Sequence, residues 1–227
     1  QLPELGSSVV RLCVSENRLT SLPPLARMAK LSLLDVSHNS LASLPDIGGL
    51  QSLQTLHAQH NQLQSLPDLA PLRSLAVMDL RENRLASIGS LPASPHLAKV
   101  LLSFNQLTAL PCFQDERVLS TALAEVHLSN NHLTLKSLEG GLLGAVATLH
   151  TLDVSQCDVA DVPAELGYLP KLQRLILNGN PIKRIRRALL EGPVSDLKAY
   201  LRTRGPPHPA LKGAVEERDG LGGAEEK

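Results

Sequence analysis

Asp35, His57 and Asp79 follow one another at intervals of 22 residues, with His38 and His60 three residues behind the first two. A carboxylate–imidazole–carboxylate series is a donor set for zinc or another divalent cation if the chain brings its members side by side. Farther on, His127, Ser129, Asp153 and Ser155 supply the letters of a nucleophilic triad. Both chemistries need more than letters. A metal needs converging ligands, and side chains on a curved sheet radiate instead. A nucleophile needs oxyanion donors and a pocket that excludes water. Ser15, Ser37 and Ser103 fill the same recurring position as Ser129 and Ser155, so serine is the ordinary small residue there. No P-loop, GxGxxG or CxxC motif occurs. The pattern predicts no enzyme, no catalytic residue, no metal and no cofactor, and it leaves a polar recognition surface.

The elements that must hold these residues repeat with them. Asn17, Asn39, Asn61, Asn83 and Asn105 are spaced by 22 residues, each inside the frame L-x-x-L-x-L-x-x-N-x-L. Leu31, Leu34, Val36, Asn39 and Leu41 make one copy, and Leu53, Leu56, Ala58, Asn61 and Leu63 the next. Eight copies can be laid down; the spacing widens to 26 on either side of Asn131 and then falls to 23, with Cys157 at the seventh Asn position and Asn180 at the eighth. The two longer inserts occupy 111–121 and 136–147. The L-x-L core has the two-residue rhythm of a strand. No single copy can bury its leucines alone, so stacking must supply the core. The Asn lies where the chain turns out of the strand, and a buried amide at a fixed point of an apolar frame implies a shared hydrogen-bond ladder. Leu-Pro pairs at 22–23, 44–45, 66–67 and 110–111 end the turns on the opposite side, where proline cannot continue a ladder.

This lettering resembles the leucine-rich-repeat superfamily over residues 2 to 204. The resemblance implies an α/β solenoid: a curved array with a parallel concave sheet, short convex turns or helices and a C-terminal helical cap. The C-terminal part is similar to the leucine-rich-repeat-containing protein 40 group of intracellular arrays. The matching residues are Pro163, Glu165, Leu166 and Gly167, then Gly179, Asn180 and Pro181, then Arg186 or Arg187, Gly192, Leu197, Tyr200, Leu201 and Arg202. That likeness implies a cytosolic or nuclear scaffold without chemistry of its own. The 22-residue spacing also resembles the leucine-rich regulatory subunit of protein phosphatase 1, which gives a second functional expectation.

The boundaries follow from the rhythm. Residues 1–182 form the array, and Leu2-Pro3-Glu4-Leu5-Gly6 reads as the tail of an earlier repeat, which predicts a truncated start with Leu2, Leu5 and Val9 uncovered. Residues 183–204 read as two short amphipathic helices broken at Gly192-Pro193. Ile185, Leu189 and Leu190 mark one apolar face and Leu197, Tyr200 and Leu201 the other, and Ser195 or Asp196 is placed to cap the second helix. Residues 205–227 have little to bury and are expected to be disordered. Lys183, Arg184, Arg186 and Arg187 either hold an anionic partner or form the solvated side of the cap.

Composition narrows the partner. The chain has 227 residues, 43% hydrophobic and 2% aromatic, with zero net charge. Neutrality gives no case for nucleic acid or a membrane surface. Three cysteines without a flanking Cys-rich cap, no sequon, no signal peptide and no long apolar span predict an intracellular, reduced protein; with the cytosolic or nuclear setting that the resemblance implies, the expectation is a cytoplasmic or nuclear protein, taken as a monomer. Stacking would place Asp35, His57, His60, Asp79, Arg81, Leu101, Phe104 and His127 in one patch, with neighbours in a row about 4.8 Å apart. Both charge signs around an apolar centre suit a protein partner. Phe104 has two readings, an exposed anchor or a ring tucked between repeats.

Overall fold

A computed structural model of the chain describes residues 8–89, 91–92, 94–110, 122–138 and 147–207. Eight three-residue strands come from the eight L-x-L cores. They are β1 (Arg11–Cys13), β2 (Leu33–Asp35), β3 (Thr55–His57), β4 (Val77–Asp79), β5 (Lys99–Leu101), β6 (Glu125–His127), β7 (Thr151–Asp153) and β8 (Arg174–Ile176). They pair in sequence order as one parallel sheet. The register is one repeat per strand, so Leu12, Leu34, Leu56, Met78, Val100, Val126, Leu152 and Leu175 form one inward row. All eight are buried, six of them with 1% exposure or less. A one-residue slip would turn this row to solvent, which is why the period fixes the register.

The asparagine ladder closes the same core. Asn61 Nδ2 donates to the carbonyls of Val36 (3.0 Å) in the preceding repeat and Ala58 (3.2 Å) in its own, and its Oδ1 accepts from Leu41 N (3.0 Å). Asn39, Asn83, Asn105 and Asn131 repeat this arrangement, and Asn180 closes it at Val159 N. Cys157 stands in the series with a weaker set. Its thiol contacts the Leu128 carbonyl at 3.5 Å and that of Ser155 at 3.4 Å. Burial pushes the thiol pKa up, against backbone N–H groups of Asn131 and Leu133 that favour its charged form. Cys157→Asn would give Leu133 N–H a true oxygen acceptor. It is expected to raise the unfolding free energy by about 0.5–1 kcal/mol, the net worth of an ordinary hydrogen bond. A urea midpoint at or below that of the parent chain would contradict this.

On the other side, tight turns rather than helices span the early repeats. Met28 N bonds Leu25 O, Leu50 N bonds Ile47 O and Leu72 N bonds Leu69 O, each at 2.9–3.0 Å, and each turn buries its leucine or isoleucine. A 22-residue period leaves too little chain for more than a turn. The later, longer repeats carry α1 (Leu135–Leu138) and a 3-10 helix over Ala164–Tyr168. The insert at 111–121 and most of that at 136–147 lie outside the described residues, as do Leu2 and Leu5.

Past Asn180 come α2 (Arg187–Leu190) and α3 (Val194–Arg202). Helix α3 buries Leu197 and Leu201 and lies against the 3-10 helix. Its polar side chains serve that helix's end. Lys198 Nζ donates to Leu169 O at 2.6 Å and Arg202 Nε to Gly167 O at 2.8 Å. The expected serine cap of α3 is not formed. Pro193 occupies the cap position without a side-chain bond, and Ser195 Oγ donates instead to Asp196 Oδ1. Proline's fixed φ starts the helix two residues earlier than the serine does, so Ser195 falls inside the first turn. Gly205, assigned to the tail, is also tied down, its carbonyl accepting from Tyr168 Oη at 2.9 Å. Residues 208–227 are outside the described residues.

Candidate functional site

The exposed sheet face is assembled from strand positions that alternate with the buried row. Register brings Cys13, Asp35, His57, Asp79, Leu101, His127, Asp153 and Ile176 side by side. Several charged groups on this face already have partners within it. Arg81 grips Asp79 through two bonds, Nε–Oδ1 at 2.9 Å and Nη2–Oδ2 at 2.7 Å. Asp79 itself is buried, so Arg81 presents the outer surface of a neutralised pair. Asp35 spends Oδ1 on the N–H and hydroxyl of Ser37 (3.0 and 2.7 Å), and Asp153 does the same with Ser155. Burial works to raise the Asp153 carboxyl, but the neighbouring His127 imidazole and hydrogen bonds from Ser155 outweigh it and hold the carboxyl below its ordinary value.

The histidines pair along the sheet rather than around a centre. His60 Nδ1 lies 2.7 Å from Glu82 Oε2, and its ring stacks on His38 with centroids 4.1 Å apart. His127 stands 3.7 Å from Glu125 and 3.8 Å from Asp153. His57, between two aspartates in the row, has no hydrogen-bond partner for its buried Nδ1 among the described residues. Among the described residues no three His, Cys, Asp or Glu side chains are arranged to hold a metal ion.

Of the residues predicted for the patch, Phe104 and Arg81 are exposed, Asp35, His57, His60, Leu101 and His127 are half-buried, and Asp79 is buried. Adjacent strands bring His57, Asp79, Leu101 and His127 together directly. The sequence reading overlooked the row two positions earlier: Arg11, Leu33, Thr55, Val77, Lys99, Glu125, Thr151 and Arg174, which shares the face in the same register. The period-two rule that placed one row also places this one. Leu33, Thr55 and Val77 give it a half-buried, mostly apolar stretch. Lys99 and Glu125 pair at 2.8 Å, and that ammonium holds the Glu125 carboxyl below its usual range.

A second row has a backbone signature. Glu16, His38, His60, Glu82, Phe104, Asn130 and Gln156 all have φ between 52° and 59°, and Gly179 completes the series at 74°. The turn out of each strand needs a left-handed residue, yet only the last repeat supplies glycine. Phe104 is the bulkiest of the seven and 53% exposed, so it is not tucked between repeats.

These features define a class. No family model matches the chain. Among solved structures it is similar to the leucine-rich effector YopM of Yersinia pestis, at 30% identity over 79% of this chain and 46% of that one, with a TM-score of 0.66. It is similar to a leucine-rich-repeat protein of Leptospira interrogans at 25% identity, 89% and 55% coverage, and a TM-score of 0.57. The plant peptide hormone receptor RGFR1, solved in complex with RGF2, matches at 26% identity, 77% and 29% coverage, and a TM-score of 0.63. The chain thus spans about half or less of the length of these proteins. It is a leucine-rich-repeat solenoid with a parallel eight-stranded sheet. No helix among the described residues is long and apolar enough to cross a membrane.

Proposed function

We propose that the chain is a non-enzymatic scaffold that binds a protein partner on the concave sheet face, in a cytoplasmic or nuclear setting and as a monomer. The contact centres on His57, His60, Asp79, Arg81, Leu101 and Phe104, flanked by Asp35 and His127. The observation that carries this reading is Phe104. A non-glycine residue in the left-handed region costs about 1–2 kcal/mol, a cost the repeat's turn imposes on seven residues alike, of which Phe104 is the bulkiest. Packing does not reward it, because half the ring is in solvent. An exposed aromatic on a face whose charged groups are largely partnered has the character of a binding anchor inside a polar rim. The receptor RGFR1, solved with RGF2, shows a related array in complex with a ligand.

Substitution separates the two roles of this residue. Phe104→Gly is expected to leave stability equal or higher by up to about 1 kcal/mol, since glycine takes the turn without strain. The same change should weaken a partner captured from cell extract by more than about 1 kcal/mol, while Ser15→Ala stays near neutral. Unchanged partner affinity would remove Phe104 from the contact. The 22-residue spacing supports a second reading, a regulatory subunit of a protein phosphatase 1-type catalytic chain. Co-purification of a phosphatase catalytic subunit, identified by mass spectrometry, would select it over the general scaffold.

A further inference from the structure

Each inner repeat hands several backbone N–H groups to the repeat that follows. The first lies just past the strand, as in Val154 N to Ile176 O at 3.0 Å, and the second two residues later, as in Gln156 N to Asn178 O at 2.7 Å. Both recur between every neighbouring pair of repeats, from Val14 N–Asp35 O and Glu16 N–Ser37 O onward. The third donates to the next asparagine, as Val159 N does to Asn180 Oδ1 at 3.0 Å. In the last repeat the corresponding groups are Leu177 N, Gly179 N and Ile182 N. None of the three donates to any described residue, and Asn178 and Gly179 are exposed.

These donors border a groove of about 510 Å³ between the terminal turn and α2, walled by Ile182, Ile185, Leu190 and Arg187. We infer that this open edge at β8 takes an extended acidic segment of a partner protein as a ninth strand. Leu177 N and Gly179 N are two residues apart, the spacing at which an extended strand in parallel register offers successive carbonyls. Ile182, Ile185 and Leu190 provide an apolar wall for one side chain of such a segment. Charge sets the partner's sign. Lys183, Arg184, Arg186 and Arg187 fall within five residues and are all exposed. Arg187 pairs with Glu191, which also lines the groove, and Arg184 lies 3.8 Å from Asp161. Lys183 and Arg186 have no acidic partner among the described residues, so the segment 183–187, which alternates with the groove-lining Ile182, Ile185 and Arg187, carries a positive excess beside the groove. This surface is separate from the Phe104 patch, and either site can fail without the other.

The test uses the 227-residue chain and a short fluorescein-labelled peptide of alternating Glu and Val, with a Lys-Val peptide as control. The acidic peptide should bind, and the basic one should bind at least about fivefold more weakly. Amide exchange at Leu177, Gly179 and Ile182 should slow at least about tenfold on binding, while amides near Phe104 keep their rates. The double variant K183E/R186E should lower affinity at least about fivefold at an unchanged melting temperature. Equal binding of both peptides, protection at the Phe104 patch alone, or no binding would each overturn the assignment.

Discussion

Asn61→Ala is expected to lower the unfolding free energy by about 3 kcal/mol, the upper end of what stranded buried polar groups cost. The truncation removes the acceptor for Leu41 N and the donor for the Val36 and Ala58 carbonyls, all of them buried bonds. Water cannot replace these partners, because Leu41, Val36 and Ala58 are fully buried. Asn17 makes the useful comparison. It is exposed, and among the described residues its amide reaches only the Val14 and Ser15 carbonyls of its own repeat. Asn17→Ala should therefore cost no more than about 1 kcal/mol. Urea titrations of both variants check the difference. Because a solenoid is stabilised through neighbouring interfaces, the Asn61 change should also broaden the transition by uncoupling the repeats on either side. Equal losses for Asn17 and Asn61 would mean that the asparagines act within single repeats and not as a shared ladder.

What could be read from the sequence was whatever the period enforces. Strand positions, inward row, parallel order and ladder all follow from residues 22 apart, since a stacked array has no freedom to place them otherwise. The rows on the sheet face were legible for the same reason, and the row containing Lys99 and Glu125 was missed although the same rule applied to it. Where period and local chemistry part company, the reading failed or stopped. The left-handed turn leaves no mark in the letters, because Glu, His, Phe, Asn and Gln all occupy it. Whether the Phe104 ring lay inside or outside could not be decided from a position that tolerates such variety. Ser195 had the right type for a cap, but Pro193 had already set the helix start. The way the face neutralises its own charges was likewise hidden. Arg81 is two residues from Asp79, and only strand geometry with a tight turn folds that guanidinium back onto the carboxylate.

A two-pronged contact outside the repeat pattern joins Asp161 to Arg204, 43 residues apart. Arg204 Nη1 and Nη2 meet the two carboxylate oxygens at 2.8 and 2.6 Å, fastening the residues after α3 to the loop ahead of the 3-10 helix. Asp161 is 6% exposed, so its carboxylate depends on these bonds and on Val162 N–H for solvation. The Arg204 guanidinium, with smaller help from Val162 N–H and Arg184, holds the Asp161 carboxyl below its ordinary value against the opposing effect of burial. Arg204→Ala would leave that charge with Val162 N–H and an exposed Arg184 3.8 Å away. A loss of about 2–3 kcal/mol is expected, set below the cost of breaking a fully buried pair because the arginine side is partly solvated. The sign with pH follows from the lowered pKa. The contribution is complete above the unfolded-chain value of 3.8 and disappears as pH falls through the lower folded-state value. Denaturation midpoints measured from pH 6 down to pH 2 should thus converge for the parent and Arg204→Ala chains at the acid end. A gap between them that persists undiminished at pH 2 would show that Arg204 stabilises the chain through another contact, such as the Tyr200 ring whose centroid lies 5.8 Å from its guanidinium carbon, and not through Asp161.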